Sequence, residues 1–416
     1  MSPSSVLRRR LRHAALLVAI ACAIAPAYAD DAAPALADAI APAAEGRSDP
    51  ARDGQVATLL GQQAAAARRV AVAQIGNVQD RLRALHHGDP AACRRDGGSP
   101  WPVKRAAEPL EPAAIPASQM PGGAPAVAPA SLPLASCQRT DLATAWTAGA
   151  LEVGSGGANA GGDGFGFHSR GVTFGVDSPL ADGMTVGVAL GLAHEHADAS
   201  SDGTANAADA VSAMAYFSFR PWREMFVDAV AGHGGLKMKS TRRVEERRNL
   251  SGDRRGTERF ASLAAGYRLA IAGADVAPYT RVEVLRAALG SFADVDDSAE
   301  ALQFQRQTVP SMKVAVGLEG SSQIDTRFGS LMPRGRLELR RELERIGAAT
   351  MSYADDPSGT AYAIDAAESA RSSLSLGVGA TLALRRSWSI GADYSTDYSS
   401  NTRVSRIDLK LSRALP

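Results

Sequence analysis

Charge of one sign is what this sequence most lacks: 45 Lys and Arg stand against 44 Asp and Glu, a formal net charge of +1. So close a balance gives no global field to attract a nucleic acid or an anionic small-molecule substrate, and neither is expected as a partner. Long apolar runs are missing too. Beyond the N-terminal segment no stretch of about 18 apolar residues occurs, which excludes a helical membrane protein. It does not exclude a barrel, whose alternating strands average out in hydropathy. Cysteine is limited to Cys22, Cys93 and Cys137. There is no Cys-x-x-Cys pair, and only His86 and His87 lie near Cys93, so no metal and no cofactor are expected. No repeat of about 20 to 50 residues stands out, which argues against a solenoid or propeller.

The N-terminus carries a clear export pattern. Arg8, Arg9, Arg10 and Arg12 precede an apolar run from Ala14 to Ala25, and Ala27-Tyr28-Ala29 then precedes Asp30-Asp31. This is the charge, core and small-residue order of a secretory signal, so residues 1–29 are expected to be cleaved, taking Cys22 with them. The remaining even pair, Cys93 and Cys137, is a candidate disulfide in an oxidising compartment, closing a loop of about 45 residues.

Residues 30–50 are Asp, Ala, Pro, Gly and Ser with nothing to bury, and read as a disordered leader. Residues 51–87 read as a helix rich in Ala, Gln and Arg, with Val70, Ile75, Val78, Leu82 and Leu85 at approximate 3-4 spacing. About 36 residues rise roughly 54 Å, more than a bilayer core is thick. Gly54, Gly61 and Gly76 weaken it, and much of its girth is polar. Such a helix would suit a polar, water-containing tube; a free periplasmic coiled-coil segment is the alternative. Residues 88–140, dominated by Pro, Ala and Gly, read as linker.

From residue 141 onward, strand signals arrive at regular intervals: 143–153, 166–177, 183–198, 205–219, 224–239, 255–271, 274–290, 302–321, 326–345, 371–384, 387–398 and 401–412. Within Ser373 to Ser395 the apolar side chains Leu374, Leu376, Val378, Ala380, Leu382 and Leu384 alternate with small polar ones. Past Arg385-Arg386 the pattern resumes as Trp388, Ile390, Ala392 and Tyr394. Period-2 alternation puts one set on each face. Either a sandwich core or lipid would accept the greasy face. The connections separate the two. Gly154 to Gly164, Ser240 to Asp253, Ser291 to Ala301 and Ile346 to Ala370 are long and polar, whereas the intervening ones are short. Long loops at one end and tight turns at the other favour an all-β, antiparallel transmembrane barrel of about 12 strands, a polar-lined tube of the kind that would suit the N-terminal α-helix.

Signal, polar helix and strand-rich C-terminal part together resemble the autotransporters, the type V secretion family. The resemblance spans about Asp141 to Pro416 and, before it, Asp53 to Leu85, which contains Ala73-Gln74-Ile75-Gly76-Asn77-Val78-Gln79-Asp80-Arg81-Leu82 and is similar to the helix that precedes the barrel in many members. Ala145-Trp146-Thr147-Ala148-Gly149 is similar to that family's first-strand opening, and Ala277-Pro278-Tyr279 with Arg281 and Glu283 to a mid-barrel motif. The resemblance implies a Gram-negative outer-membrane barrel with the helix in its pore, exporting or displaying a segment that precedes the helix. Outer-membrane lipid, the barrel insertion machinery and periplasmic chaperones are its implied partners. A plugged porin-like or structural barrel is the alternative. Two features depart from the pattern. Only about 20 residues separate the expected cleavage site from the helix, too few for a recognisable passenger. Ile407, Leu409 and Leu411 lead into Arg413-Ala414-Leu415-Pro416 instead of the family's aromatic ending.

Alternation also nominates a lumen. Arg281, Glu283, Lys313, Glu319, Arg334, Arg336, Glu338, Arg340 and Asp393 fall on the face opposite the apolar residues and are the pore-lining candidates. Gln74, Asn77, Asp80 and Arg81 are the helix candidates to meet them. His194 and His196 share a strand face with Asp198, with Glu195 opposite. Polar residues near an extracellular strand end explain them better than a metal or acid/base site. Some autotransporters cut their helix at an Asn-Asn pair, but Asn77 stands between Gly76 and Val78. No catalytic residue is assigned and no enzyme activity is expected.

Overall fold

The computed structural model describes residues 48–86, 143–156, 164–199, 203–222, 224–245, 248–271, 273–295, 298–365, 371–384, 387–400 and 402–415. The signal, the leader up to residue 47, the 88–140 linker with Cys93 and Cys137, and Arg385-Arg386 lie outside them.

The chain enters through a 3-10 turn, Pro50–Arg52, capped by Asp49, whose carboxylate accepts the Ala51 N–H at 2.9 Å. Asp53 does the same for the Gln55 N–H at 2.8 Å. Helix α1 (Gly54–His86) follows. Its Ala, Gln, Leu and Arg content favours a helix, and it is buried on every side, through Gln62, Gln74, Asn77 and Arg81 as well as Val70, Ile75 and Leu82. A helix that polar and that enclosed needs partners all round, and the barrel supplies them.

The wall has twelve strands: β1 (Ala143–Gly156), β2 (Phe165–Ala181), β3 (Met184–Asp198), β4 (Ala205–Phe219), β5 (Met225–Glu245) and β6 (Arg248–Tyr267) in the first half, then β7 (Ala274–Leu289), β8 (Gln307–Ser322), β9 (Gly329–Glu342), β10 (Ser372–Ala383), β11 (Trp388–Ser399) and β12 (Thr402–Leu415). Each pairs antiparallel with the next, and β12 closes on β1 from Ala143 opposite Leu415 to Gly156 opposite Thr402. Closure satisfies every ladder and leaves no open edge.

Alternation sorts the faces. Leu151, Phe174, Leu190, Val211, Leu263, Leu376, Val378, Ile390 and Leu409 point outward and are exposed in the isolated chain. Their lumenal neighbours Thr173, Ala189, Ala210, Ser262, Ser375 and Asp408 are buried. In the β10–β11 hairpin, Val378 opposite Tyr394 lies outward and Gly379 opposite Asp393 lies inward.

The strand limits differ from the sequence expectation in places. Ser240 to Asp253, expected as a polar loop, is mostly strand: β5 runs to Glu245 and pairs with β6 through Thr241 opposite Ser251 and Arg243 opposite Asn249. Its charges mislead because alternate ones turn inward. Arg242 is buried against Asp294 at 2.8 Å and Asp53 at 3.7 Å. The expected strand 302–321 is two: Leu302–Phe304 leaves the wall and β8 begins at Gln307. The expected loops Ser291 to Ala301 and Ile346 to Ala370 hold further short strands. Tyr362–Ile364, Ala349–Tyr353, Leu302–Phe304 and Phe292–Ala293 pair in that order as a separate four-stranded sheet. Its Phe292, Phe304, Met351 and Tyr353 pack on Val56, Leu59 and Leu60 of α1. Segments this short show no period to read.

Candidate functional site

The start of α1 lies under the small sheet, at the end of the barrel where the β7–β8 and β9–β10 connections are longest. Its last residue, His86, lies at the tight-turn end beside Phe226 and Asp228 of β5. The helix therefore runs the length of the lumen.

Three tiers of polar contacts hold it. At the upper tier the Arg68 guanidinium meets Glu342, whose carboxylate also accepts from Ser311 Oγ at 2.9 Å and Met312 N–H at 2.8 Å. Arg69 Nε donates to Glu195 at 2.9 Å, and its guanidinium lies 3.8 Å over the Phe167 ring. At the middle tier Thr173 Oγ1 donates to Gln74 Oε1 at 2.6 Å and accepts from Asn77 Nδ2 at 2.8 Å. Asn77 Oδ1 accepts from Arg406 at 2.8 Å, and that guanidinium also reaches Glu152 and Asp408. Gln79 donates to Ser262 at 3.0 Å and Glu283 at 2.8 Å. At the lower tier Arg81 grips Asp177 with two bonds of 2.7 and 2.9 Å, a planar fork on a carboxylate. Tyr216 donates to the same Asp177 at 2.9 Å and accepts from Trp146 Nε1 at 2.6 Å. Asp80 pairs with Arg83 and Lys410, and His86 Nε2 lies 2.9 Å from Asp228.

Two glycines make this approach possible. A Cβ on Gly191 of β3 would sit 2.0 Å from Gln74 Oε1, and one on Gly76 only 3.2 Å from the Arg406 guanidinium. Gly76 costs the helix some propensity and lets that guanidinium lie against it.

The pore-lining candidates fall on one stretch of wall, β7 to β11. Arg281 meets Glu283 at 2.9 Å and Glu338 at 2.8 Å; Glu338 also takes a bond from Tyr279 and pairs with Arg340, which reaches Asp397 at 2.7 Å. Arg334 Nε donates to Asp393 at 2.7 Å, and Lys410 reaches the same carboxylate at 2.5 Å. Lys313 stands opposite Glu283 and Glu342 in register, and Arg336 opposite Glu319. Of these nine, Glu283 bonds the helix through Gln79, and Glu319 lies 3.7 Å from Arg83. Gln74, Asn77, Asp80 and Arg81 all contact the wall, but through Thr173, Arg406, Lys410 and Asp177, none of them nominated from sequence. Each of these partners is a single polar side chain in a strand of small residues or mixed charges, so no cluster marks it.

Helix and wall do not fill the lower lumen. One small gap is bordered by Leu82, Phe226, Tyr279 and Arg281. Another is bordered by Asp80, Arg334, Arg336 and Asp393. Arg83 and Glu319 line both. Above, His194 and His196 point outward: His194 Nδ1 lies 2.8 Å from Asp209, while Glu195 faces the lumen and Arg69. Among the described residues no three His, Cys, Asp or Glu side chains converge as metal ligands.

The family model described as autotransporter beta-domain matches residues 145–395. No curated protein sequence matches the chain. Among solved structures, the translocator domain of the autotransporter NalP from Neisseria meningitidis superposes with a TM-score of 0.56 at 14% identity, covering 66% of this chain and 88% of that one. The β domain of the Bordetella autotransporter BrkA gives 0.52 at 16% identity, covering 66% and 100%.

Proposed function

The chain belongs to the autotransporter family, and on that premise we propose that it is an outer-membrane translocator barrel that passes or displays the segment preceding α1. The observation that carries this reading is the course of the helix. It enters the lumen at the tight-turn end by its C-terminus and leaves its N-terminus under the small sheet at the other end. A chain threaded this way delivers whatever precedes residue 48 to the long-loop end, the outer side in such barrels. The outward belt of Leu, Val, Ile and Phe supports contact with membrane lipid. The barrel works without catalysis in this reading, and the insertion machinery and periplasmic chaperones bring it to the membrane. A plugged, porin-like or structural barrel is the competing reading, which the many helix anchors would also suit.

An epitope tag inserted at Asp30 separates them. Protease added to intact cells is expected to remove the tag while the barrel stays whole. A tag that survives until the outer membrane is permeabilised would overturn export.

A further inference from the structure

We propose that the outward face of β5, β6 and β7, at the upper margin of the apolar belt, binds the phosphate groups of a phosphorylated glycolipid of the surrounding leaflet. This rests on the membrane placement above but not on export.

The face is unusual in opposing like charges. Lys237 of β5 stands directly opposite Arg255 of β6, and Arg259 of β6 directly opposite Arg286 of β7, with His233 on the other side of Arg259. All four cations are exposed on the outer surface. Side chains directly opposed across antiparallel strands have Cβ atoms about 4.5 to 5.5 Å apart, and like charges there destabilise the pair. The acidic neighbours offset only part of this. Asp209, opposite Lys237 on β4, is taken up by His194 at 2.8 Å, Asp253 stands opposite Lys239, and Glu344 lies within electrostatic reach of Arg286. Among the described residues, no ion pair or hydrogen bond ties Lys237, Arg255 or Arg259 to a carboxylate.

An anion with several acceptor oxygens relieves both repulsions, and a phosphate matches Arg forks and a Lys ammonium together. The position selects a lipid over a free ion. Immediately below the Arg259–Arg286 pair the outward residues turn apolar, with Ala261 opposite Val284 and Leu263 opposite Val282. A headgroup on the cations would lay its acyl chains along this surface. Across the barrel, the outward positions of β10 and β11 are Leu374, Leu376, Tyr394 and Tyr398, with no such cations.

The test uses the full chain, refolded in a neutral detergent and titrated with bis-phosphorylated lipid A and with the same lipid lacking both phosphates, bound lipid being read by native mass spectrometry. The bis-phosphorylated form is expected to bind. The combined variant Lys237→Gln, Arg255→Gln, Arg259→Gln, Arg286→Gln is expected to weaken it by about tenfold or more, while Arg403→Gln on the outward face of β12 leaves it unchanged. Heat-dependent gel mobility confirms that each variant is folded; if the combined variant is not, the Lys237/Arg255 and Arg259/Arg286 double variants are compared instead. Equal binding of the dephosphorylated lipid, or undiminished binding by the variants, would overturn the proposal. So would full competition by millimolar inorganic phosphate, which would point to a free anion. Because the titration requires only a folded barrel, its failure leaves the export reading standing, and failure of the tag experiment leaves this one standing.

Discussion

The lumen contains two kinds of buried carboxyl group, and they should respond oppositely to removal. Both oxygens of Asp177 are bonded, by the Arg81 fork and by Tyr216, which is itself bonded to Trp146. Replacing it by alanine removes both bonds of the Arg81 fork and the acceptor of a buried phenol. Such a loss costs about 3 to 5 kcal/mol. In urea unfolding of the refolded barrel, followed by tryptophan fluorescence with Trp146 as a local reporter, Asp177→Ala should lower the midpoint; an unchanged midpoint would mean that the tier carries no stability. Glu258 of β6 is the opposite case. It is fully buried, opposite Gly234 and Ala287, and neither carboxylate oxygen has a hydrogen-bond partner. Burying a polar group without partners costs about 1 to 3 kcal/mol. Glu258→Met, similar in volume and apolar, should therefore raise the same midpoint, whereas a fall would show that the carboxylate has a compensating role.

At the scale of elements, what was legible in the sequence followed from periodicity, and what was not followed from its absence. The β10–β11 hairpin and the alternation Met184, Val186, Val188, Leu190, Leu192 in β3 declare their faces because every second side chain is apolar. The small outer sheet has strands of two to five residues, too few to show a period, and its order comes from packing on Val56, Leu59 and Leu60. The β5–β6 hairpin was hidden because its tip is charged on both faces, and partners for its inward side exist only once Asp53 and Asp294 are brought close. The helix anchors were missed for a related reason: Thr173 and Asp177 look like ordinary lumen residues until α1 lies beside them. The outer sheet makes a pH prediction. The turn between Ala349–Tyr353 and Tyr362–Ile364 closes on Asp356, which accepts from Ser358 Oγ at 2.6 Å, Ser358 N–H at 2.8 Å and Thr360 N–H at 3.0 Å. These bonds, the Ser358 hydroxyl first, favour the ionised form and lower its pKa to about 2. A lowered carboxylate value means that the contribution is fully present above the unfolded value of about 3.9 and is lost as pH falls through about 2. A carbon-13 titration of the Asp356 carboxyl should give a midpoint near the lower figure, and Ser358→Ala should move it upward; a midpoint at the unfolded value would remove the turn's pH dependence.

For the molecule as a whole, the wall and the helix are separable, because every barrel strand finds its ladder partners in other strands and the ring closes from β12 to β1 without α1. Deleting residues 51–87 should leave a folded barrel and remove a cylinder about 10 Å across from the lumen, so single-channel conductance in a planar bilayer should at least roughly double. The charge left behind predicts the selectivity as well. The deletion takes away Arg68, Arg69 and Arg81, and with them the cationic partners of Glu342, Glu195 and Asp177, together with the His86 ring that bonds Asp228. Asp53 and Asp80 leave too, which frees Arg242 and Lys410 from one carboxylate each, but Asp294 and Asp393 remain to hold these cations. The emptied pore thus bares more carboxylate than ammonium or guanidinium along the β2, β3 and β5 wall, where α1 is anchored. Such a pore concentrates cations. Under a salt gradient the reversal potential of the deleted barrel should move toward that of the cation, and restoring neutrality with Glu195→Gln and Asp177→Asn should move it back. Unchanged conductance would mean that α1 does not occupy the lumen in the membrane. Raised conductance with anion preference would mean that the Arg281, Arg334, Arg336 and Arg340 stretch of wall dominates the field instead.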